Sequence, residues 1–449
     1  MADRSPVKFT VTEHTIDAQY IREYPTATLS QDSPLQLVVK KYTPIDNPNP
    51  QPGDVTIIGA HGCGLPKELY EPLWEEILMQ SEQQGFRIGS IWIADMASLG
   101  TSGVVNEGML GDDRECTLFY IWISRLISTA SPFDHSRDIL HMINQFRHEM
   151  PRPIIRVGHS MGATQLTMLS LVHPRLFTSL VLMEPALTTT IWPHQLFVLL
   201  TLKRRDTWPS KSEAIESAAK SYARWDSRVL KRWNEHGYRN LQTVSPQTDG
   251  ESKPFDGPVT LTTSIYQEAM VYLRPDFMGH TTSALADSTK APPHDPLMYP
   301  DIIDPPRPAR PFYRSEARIA LNMLKHIRPP VFYLFGGESQ VTTPKDQAQI
   351  LERTGAGIGG SGGVKHSQVE KTVMLDCGHM VPMENVNESA SLIGTWVGQS
   401  VQRWHEDEQR VHQRWTDRSA KEVLTAPAKW IPILEGILKA EAQKAKSKI

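Results

Sequence analysis

A serine flanked by glycines lies at a point where a strand would turn into a helix. Residues 158–162 read GHSMG, which has the form G-x-S-x-G, and they follow the apolar run 154–157. A serine hydroxyl becomes a nucleophile only when a base takes its proton, and a sharp strand-to-helix turn holds its oxygen clear of the backbone. The glycines allow the close backbone approach that such a turn requires. The motif therefore predicts acyl chemistry with Ser160 as the nucleophile.

Two further motifs supply the other groups that this chemistry needs. The apolar run 55–60 ends in HGCG, where we expect the backbone N–H of Cys63 to form an oxyanion hole with that of Met161. A later strand-like run, 371–376, is followed by His379. We predict that His379 acts as general base toward the serine and then as general acid toward the leaving group.

The acid that orients the histidine has two candidates. Glu184 directly follows the apolar run 179–183 and precedes a proline. Glu338 follows a later strand-like run, but the usual acid position there, one residue further on, holds Ser339. Neighbouring residues of an extended segment point in opposite directions, so Glu338 is poorly placed. We favour Glu184 and keep Glu338 as the alternative.

Apolar runs alternate with helical segments over most of the chain. This alternation predicts an α/β fold with a doubly wound, mostly parallel sheet, preceded by antiparallel edge strands within 8–44. The core is expected in two parts, 1–186 with the nucleophile turn and 329–449 with the histidine. Between them, 187–328 loses the alternation and becomes proline-rich in its second half. An insertion at this point predicts a mainly helical cap over the active site.

Composition and charge exclude several classes of protein. The 449 residues are 39% hydrophobic and 22% charged, with a net charge of −3, which gives no basic stripe for nucleic acid. Only three cysteines are present, far apart and without a C-x-x-C motif, so neither disulfides nor a zinc site are expected. The longest apolar stretches are far shorter than the roughly 20 residues of a transmembrane helix. A serine mechanism needs no metal or organic cofactor, and none is predicted.

The last three residues are Ser447, Lys448 and Ile449, after the lysine-rich segment 440–446. S-K-L at the extreme C-terminus is a peroxisomal address that an import receptor reads. S-K-I keeps the small polar, basic and aliphatic pattern. We expect the peroxisomal matrix as the location and the import receptor as a partner, with an ordinary frayed end as the alternative.

As a set, these motifs resemble those of fungal peroxisomal α/β-hydrolases, a group similar to the hydrolases of host-selective toxin pathways such as AK-toxin biosynthesis. The resemblance covers nearly the whole chain. It implies the α/β-hydrolase fold and a serine hydrolase in a peroxisomal pathway that builds or trims acyl-derived metabolites. The segments that carry it, besides the Ser160 turn and the final S-K-I, are PKELYEP (66–72), GTSGVVNEG (100–108), FDHSRD (133–138), LMEP (182–185) and the stretch 204–226.

Segment 114–132 departs from that resemblance, because we would expect Asp113 to run almost directly into Phe133. The segment contains a dense apolar run without amphipathic spacing. A lid element, a partner-binding patch and translated sequence from an unremoved intron are the three interpretations, and we favour the intron.

The residues therefore predict a serine esterase or thioesterase for a medium-to-long apolar acyl group. An acyltransferase that uses the same triad is one alternative. A non-catalytic relative that binds a pathway intermediate or a partner is another. Haloalkane dehalogenase and epoxide hydrolase chemistry are excluded, since both need a carboxylate where this chain has Ser160.

Overall fold

A computed structural model describes residues 8–111, 130–188, 195–241, 256–275, 296–297, 300–301, 312–416, 419, 422 and 424–446. The chain divides into two compact units, Met1–Val401 and Gln402–Ile449. The strands, in chain order, are β1 (Phe9–Asp17), β2 (Gln36–Pro44), β3 (Val55–Ala60), β4 (Ile88–Ala94), β5 (Ile154–His159), β6 (Ser179–Met183), β7 (Thr207–Trp208), β8 (Tyr238–Asn240), β9 (Val259–Leu261), β10 (Arg274–Pro275), β11 (Phe312–Tyr313), β12 (Val331–Gly336) and β13 (Val369–Met374).

The α-helices lie between these strands or follow the last of them. In chain order they are α1 (Glu71–Ser81), α2 (Gly100–Val105), α3 (Pro132–Gln145), α4 (Met161–Val172), α5 (Gln195–Lys203), α6 (Lys211–Ser221), α7 (Ser227–His236), α8 (Ile265–Tyr272), α9 (Glu316–Met323), α10 (Pro344–Arg353), α11 (Val381–Glu384), α12 (Val386–Thr416) and α13 (Trp430–Lys446). None of the helices described here is long and apolar enough to cross a membrane.

The main sheet has the strand order β1-β2-β4-β3-β5-β6-β12-β13. From β4 to β13 all neighbouring strands are parallel, whereas β2 pairs antiparallel with both β1 and β4. The mostly parallel sheet and its antiparallel edge are as predicted. Every residue of β3, β4, β5, β6 and β12 is buried, because helices cover both faces of a parallel sheet. This is why these strands read as largely apolar runs.

Successive residues of a strand point to opposite faces of the sheet, and this separates the core into two clusters. Ile57 packs in the cluster that contains Trp74 of α1, while its neighbour Ile58 packs in the cluster that contains Leu166 of α4. Burying one large apolar side chain stabilises the fold by about 1.5–3 kcal/mol. The two clusters hold α1 and α4 rigidly against the sheet, and so fix the ends of β3 and β5 where the candidate site lies.

The segment between β6 and β12 interrupts the parallel alternation. It contains α5 to α9 and two small sheets, ordered β7-β9-β8 and β10-β11. Part of it is tied to the core by ion pairs from α7 to α1, between Arg228 and Glu76 and between Arg232 and Glu71. An inserted, mainly helical cap is thus present, and the boundaries 187 and 328 stay a prediction.

Two sequence interpretations fall outside the described residues. In segment 114–132, only 130–132 are described, and there Ser131 caps the start of α3 by accepting a hydrogen bond from the Phe133 N–H. The lid, partner-patch and intron interpretations of 114–129 therefore stay predictions. The C-terminal tripeptide 447–449 also lies outside the described residues.

Candidate active site

Ser160 occupies the turn between β5 and α4 with φ 53° and ψ −118°. A side chain at positive φ is strained, and such strain persists only where the surroundings hold it. A β-carbon on Gly162 would lie 2.3 Å from the carbonyl oxygen of Ala60, and one on Gly158 would lie 2.9 Å from the backbone nitrogen of Ala163. The turn therefore requires glycine at both positions.

His379 lies in the loop between β13 and α11 and faces the turn. Its Nε2 is 2.9 Å from Ser160 Oγ, and its Nδ1 is 3.0 Å from Glu184 Oε2. A carboxylate only accepts hydrogen bonds, so Nδ1 carries the proton and Nε2 is the acceptor for the serine hydroxyl. The structure thus brings Ser160, His379 and Glu184 together in the order that general-base activation of a serine needs.

Glu184 directly follows β6, with φ 45°, and its side chain is fully buried. Besides the histidine, its carboxylate accepts hydrogen bonds from the Gly336 N–H at 2.8 Å, Ser339 Oγ at 2.5 Å and Thr342 Oγ1 at 3.1 Å. These donors offset the cost of burying a charge. The usual acid position after β12 thus supplies a donor, Ser339, to the Glu184 carboxylate, which follows β6. Sequence reasoning noted Ser339 but missed this role.

Glu338, the alternative acid, makes a different contact. Its side chain is 53% exposed, and Oε2 lies 2.6 Å from Nη1 of Arg224, in the segment between α6 and α7. The same arginine pairs with Glu384 at 3.0 Å and donates to the Asp376 carbonyl oxygen at 2.7 Å. The Glu338 carboxylate therefore takes part in an exposed ion pair between the inserted segment and the core.

The loop after β3 packs against the nucleophile turn. A β-carbon on Gly62 would lie 3.4 Å from Cβ of Ser160. The side chains of Cys63 and Met161 share one buried cluster, and burial raises the pKa of the Cys63 thiol well above its usual value. Because Cys63 stays a neutral thiol, it can contribute through its backbone N–H but not as a nucleophile. Met161 begins α4, where the first N–H groups lack partners within the helix. The assignment of both N–H groups to an oxyanion hole stays a prediction.

A buried hydrogen-bond chain links three parts of the site. His159 Nε2 lies 2.9 Å from the His379 carbonyl oxygen, and Nδ1 lies 2.9 Å from Tyr70 Oη, which accepts the Gly62 N–H at 2.8 Å. Burial lowers the pKa of His159 to about 3, so this ring is neutral near pH 7. A carbonyl oxygen only accepts, hence Nε2–H donates to it and Nδ1 accepts from the tyrosine hydroxyl.

Sequence reasoning missed this chain of contacts. Tyr70 entered only as part of the PKELYEP motif, and His159 only as the variable residue of G-x-S-x-G. A buried ion pair supports the same loop, since Lys67 Nζ lies 2.7 Å from Asp95 Oδ2, which also accepts the Thr101 N–H at 3.0 Å. The sequence positions of Lys67 and Asp95 could have indicated this ion pair, because a lysine and an aspartate beside apolar strands need partners if they are buried.

A cavity of about 470 Å³ opens beside Ser160 and His379. On the core side its apolar wall includes Leu65, Val341 and Met380, and the inserted segment contributes the α5 residues Phe197 and Leu200 together with Thr201, Arg204 and Tyr272. A mostly apolar cavity with a few polar groups is typical of a small-molecule site. Within the described ranges, no cluster of three or more His, Cys, Asp or Glu side chains is suited to hold a metal ion.

Comparison with known proteins adds sequence relatives. The family described as alpha/beta hydrolase fold matches residues 124–386. The chain is 35% identical over 448 residues to the type I acyl-CoA thioesterase mpaH of Penicillium roqueforti, with 96% of each protein covered. It is 35% identical over 450 residues to mpaH' of Penicillium brevicompactum, also named a type I acyl-CoA thioesterase, with 96% of this chain and 97% of the relative covered.

More distant similarities extend this picture. The abhydrolase domain-containing protein AKT2 of Alternaria alternata is 29% identical over 251 residues, with 55% of this chain and 84% of the relative covered. Among solved structures, the peroxisomal alpha-beta-hydrolase Lpx1 of Saccharomyces cerevisiae superposes with a TM-score of 0.63 at 16% identity, covering 98% of both chains. At that identity the likeness concerns the fold alone.

Proposed function

The chain belongs to the α/β hydrolase fold family, and on that premise we propose that it is a serine hydrolase that cleaves thioesters of apolar acyl groups. That the protein is a hydrolase of the esterase or thioesterase type follows from the fold and from relatives named acyl-CoA thioesterases at 35% identity. The relatives from Penicillium and Alternaria confirm the resemblance to fungal α/β-hydrolases. We further propose a place in secondary-metabolite biosynthesis, in keeping with that resemblance.

One observation carries the proposal, the hydrogen-bonded series Ser160, His379 and Glu184 at the wall of the cavity. In the proposed mechanism Ser160 Oγ attacks the acyl carbonyl carbon while His379 Nε2 takes its proton. Glu184 holds the imidazole in the required tautomer and stabilises the imidazolium that forms.

The second half of the mechanism follows from the same atoms. The N–H groups of Cys63 and Met161 are proposed to hold the oxyanion, each donor being worth about 3–4 kcal/mol in comparable sites. His379 then returns its proton to the leaving thiolate, which departs and leaves an acyl-serine. Water, activated by the same histidine, releases the carboxylic acid and restores the serine.

A substrate panel tests the proposal. Purified protein is incubated with p-nitrophenyl esters and acyl-CoA thioesters of increasing chain length, and a fluorophosphonate probe reports whether Ser160 is reactive. We expect probe labelling and thioester hydrolysis, with free acid as the product. If an added alcohol or amine captures the acyl group faster than water does, the enzyme is instead an acyltransferase. Absence of labelling and of turnover would leave only a binding role.

The tyrosine of the buried hydrogen-bond chain provides a first prediction. Tyr70→Phe keeps the ring but removes the acceptor of the Gly62 N–H and the donor to His159 Nδ1. An unsatisfied buried polar group costs about 1–3 kcal/mol, so we expect kcat to fall about 10- to 100-fold with KM little changed. Steady-state kinetics on one acyl thioester measure both parameters.

The matched control is Tyr42→Phe. Tyr42 is also buried, and its hydroxyl donates to Glu71 at 2.9 Å, away from the candidate triad. We expect this variant to lose some thermal stability while its kcat stays near that of the wild type. Equal losses of kcat in the two variants would mean that Tyr70 acts only through general stability.

The localisation proposal rests on the C-terminal tripeptide. We propose that Ser447, Lys448 and Ile449 address the protein to the peroxisomal matrix through the import receptor. Deletion of 447–449 from an N-terminal fluorescent fusion is expected to move the signal from puncta, which coincide with a peroxisomal marker, to the cytosol. Puncta that persist after the deletion would contradict the proposal, and a fusion ending in S-K-L serves as the positive control.

A further inference from the structure

The cavity wall formed by α5 and the residue that follows it changes from apolar to charged along the chain. Phe197, Leu200 and Thr201 line the cavity from one face of α5, since their spacing of three and four residues places them on the same side of a helix. Arg204, the first residue after α5, also lines the cavity. The wall thus runs from apolar side chains to a guanidinium. Arg204 is the one arginine or lysine among the described residues that line this cavity.

The guanidinium of Arg204 is fixed by a neighbouring helix. Nη2 lies 2.7 Å from Oε2 of Glu268 in α8, and Oε1 of the same carboxylate accepts from the Tyr272 hydroxyl at 3.3 Å. Glu268 in turn packs against the loop after β3, because a β-carbon on Gly64 would lie 2.6 Å from its carboxyl carbon. Arg204 is therefore held, with its charge compensated, next to the loop predicted to bind the oxyanion.

One donor of this arginine is unused. Although the side chain is 35% exposed, its Nε atom is buried and has no hydrogen-bond partner among the described residues. A buried donor without an acceptor costs about 1–3 kcal/mol. The exposed part of the guanidinium lines the cavity and can donate to an acceptor oxygen on a bound ligand. A small shift of the side chain that also brings Nε–H to such an oxygen would remove this cost.

We infer that Arg204 recognises an uncharged oxygen, a keto or hydroxyl group, on the acyl chain of the substrate. The inference rests on the proposed function and adds the substrate class, an oxygenated acyl thioester. Polyphosphate recognition usually needs cations without internal partners, whereas Arg204 is paired with Glu268 and the cavity wall also carries the Glu338 carboxylate. The carboxylates of Glu268 and Glu338 would repel an acyl chain that ends in a carboxylate.

The test compares matched acyl chains on one leaving group. The probes are N-acetylcysteamine thioesters of octanoate and of its positional keto and hydroxy derivatives, with the suberoyl half-thioester as the charged chain. A hydrogen bond to a charged donor contributes about 1.5–3 kcal/mol, so at least one oxygenated position should exceed octanoyl about 10- to 100-fold in kcat/KM. Arg204→Met, which keeps the aliphatic stem, should reduce that ratio to near one.

Arg205→Met is the matched control. Arg205 is next in sequence, but its exposed guanidinium pairs with Glu213 at 2.7 Å and does not line the cavity. We expect this variant to keep the wild-type ratio. Melting temperatures of both variants show whether Arg204→Met still folds, and the preference of the wild-type enzyme is informative by itself if it does not.

Each other result overturns the inference. If wild type hydrolyses octanoyl and oxygenated chains equally, Arg204 has no such role, while the proposed function stands. If Arg204→Met lowers kcat/KM for all chains by the same factor, the arginine is a structural link to Glu268. If Arg204→Met lowers kcat/KM for the acyl-CoA thioesters of the substrate panel but not for any N-acetylcysteamine thioester, the arginine contacts the leaving group. If no thioester is cleaved and Ser160 is not labelled, the proposed function itself falls, and the inference with it.

Discussion

Ser160→Ala is expected to abolish thioester hydrolysis, with kcat falling on the order of 10⁵- to 10⁶-fold, as when the nucleophile of a triad is removed. The reason is direct, because Ser160 Oγ is the atom that lies 2.9 Å from His379 Nε2 at the wall of the cavity. Labelling by a fluorophosphonate probe should disappear in the same variant. The measurement is the initial rate on the best substrate of the ester and thioester panel.

The fold should survive this substitution. Alanine has the same β-carbon as serine, so the strain at φ 53° is unchanged and the turn keeps both of its glycines. Ser136→Ala is the matched control, since Ser136 is also buried but its hydroxyl donates to the Gln165 carbonyl oxygen away from the cavity. Ser136→Ala should retain activity. More than about 1% residual activity in Ser160→Ala would refute the assignment of the nucleophile.

Much of the fold could be predicted because parallel strands buried on both faces leave a simple trace in the sequence. The runs 55–60 and 154–157 are mostly apolar, and both correspond to strands whose residues are all buried. The candidate catalytic residues directly follow such runs, and the carboxyl ends of parallel strands lie at one edge of the sheet. This is why Glu184 could be proposed from a charge that directly follows an apolar run.

Contacts between residues far apart in sequence could not be predicted in the same way. Ser339 donates to a carboxylate 155 residues earlier, and Arg204 pairs with a carboxylate 64 residues later in the inserted segment. Their existence depends on how loops and helices dock after the sheet has formed. Neither residue type nor spacing encodes that docking, so these partners become visible only in the folded chain.

The backbone conformation at the site could be predicted from the sequence only in part. Ser160 and Glu184 both adopt positive φ, 53° and 45°, at the ends of adjacent parallel strands. A serine between glycines predicts such a turn, because its neighbours supply the space. A glutamate before proline gives no comparable signal. Strain at both Ser160 and Glu184 fits two side chains that are held in place for chemistry. Of the two residues, Glu184 is the more informative to change.

Glu184→Gln is expected to reduce kcat about 10³- to 10⁴-fold, the usual loss when the acid of such a triad is neutralised. The amide cannot stabilise the imidazolium of His379. It also meets a site built for a carboxylate, where the Gly336 N–H donates to one oxygen and Ser339 Oγ to the other. In either orientation of the amide, its NH₂ group would face one of these two donors in place of an oxygen that accepts from it. We therefore expect a loss of stability of about 1–3 kcal/mol as well, so rates should be compared well below the melting temperature.

Glu338→Gln is the comparison that decides the identity of the acid. Its carboxylate forms an ion pair with Arg224 in which both side chains are more than half exposed, so the pair contributes at most about 1 kcal/mol to stability. Because Glu338 also lines the cavity, its charge influences the electrostatic field around His379, and a severalfold change in kcat is expected. The two variants measured side by side, on one thioester and at one pH, separate the roles. A Glu184→Gln enzyme that turns over normally beside an inactive Glu338→Gln enzyme would move the acid to the loop after β12. The hydrogen bond that His379 Nδ1–H donates to Glu184 would then only help to hold the ring in place.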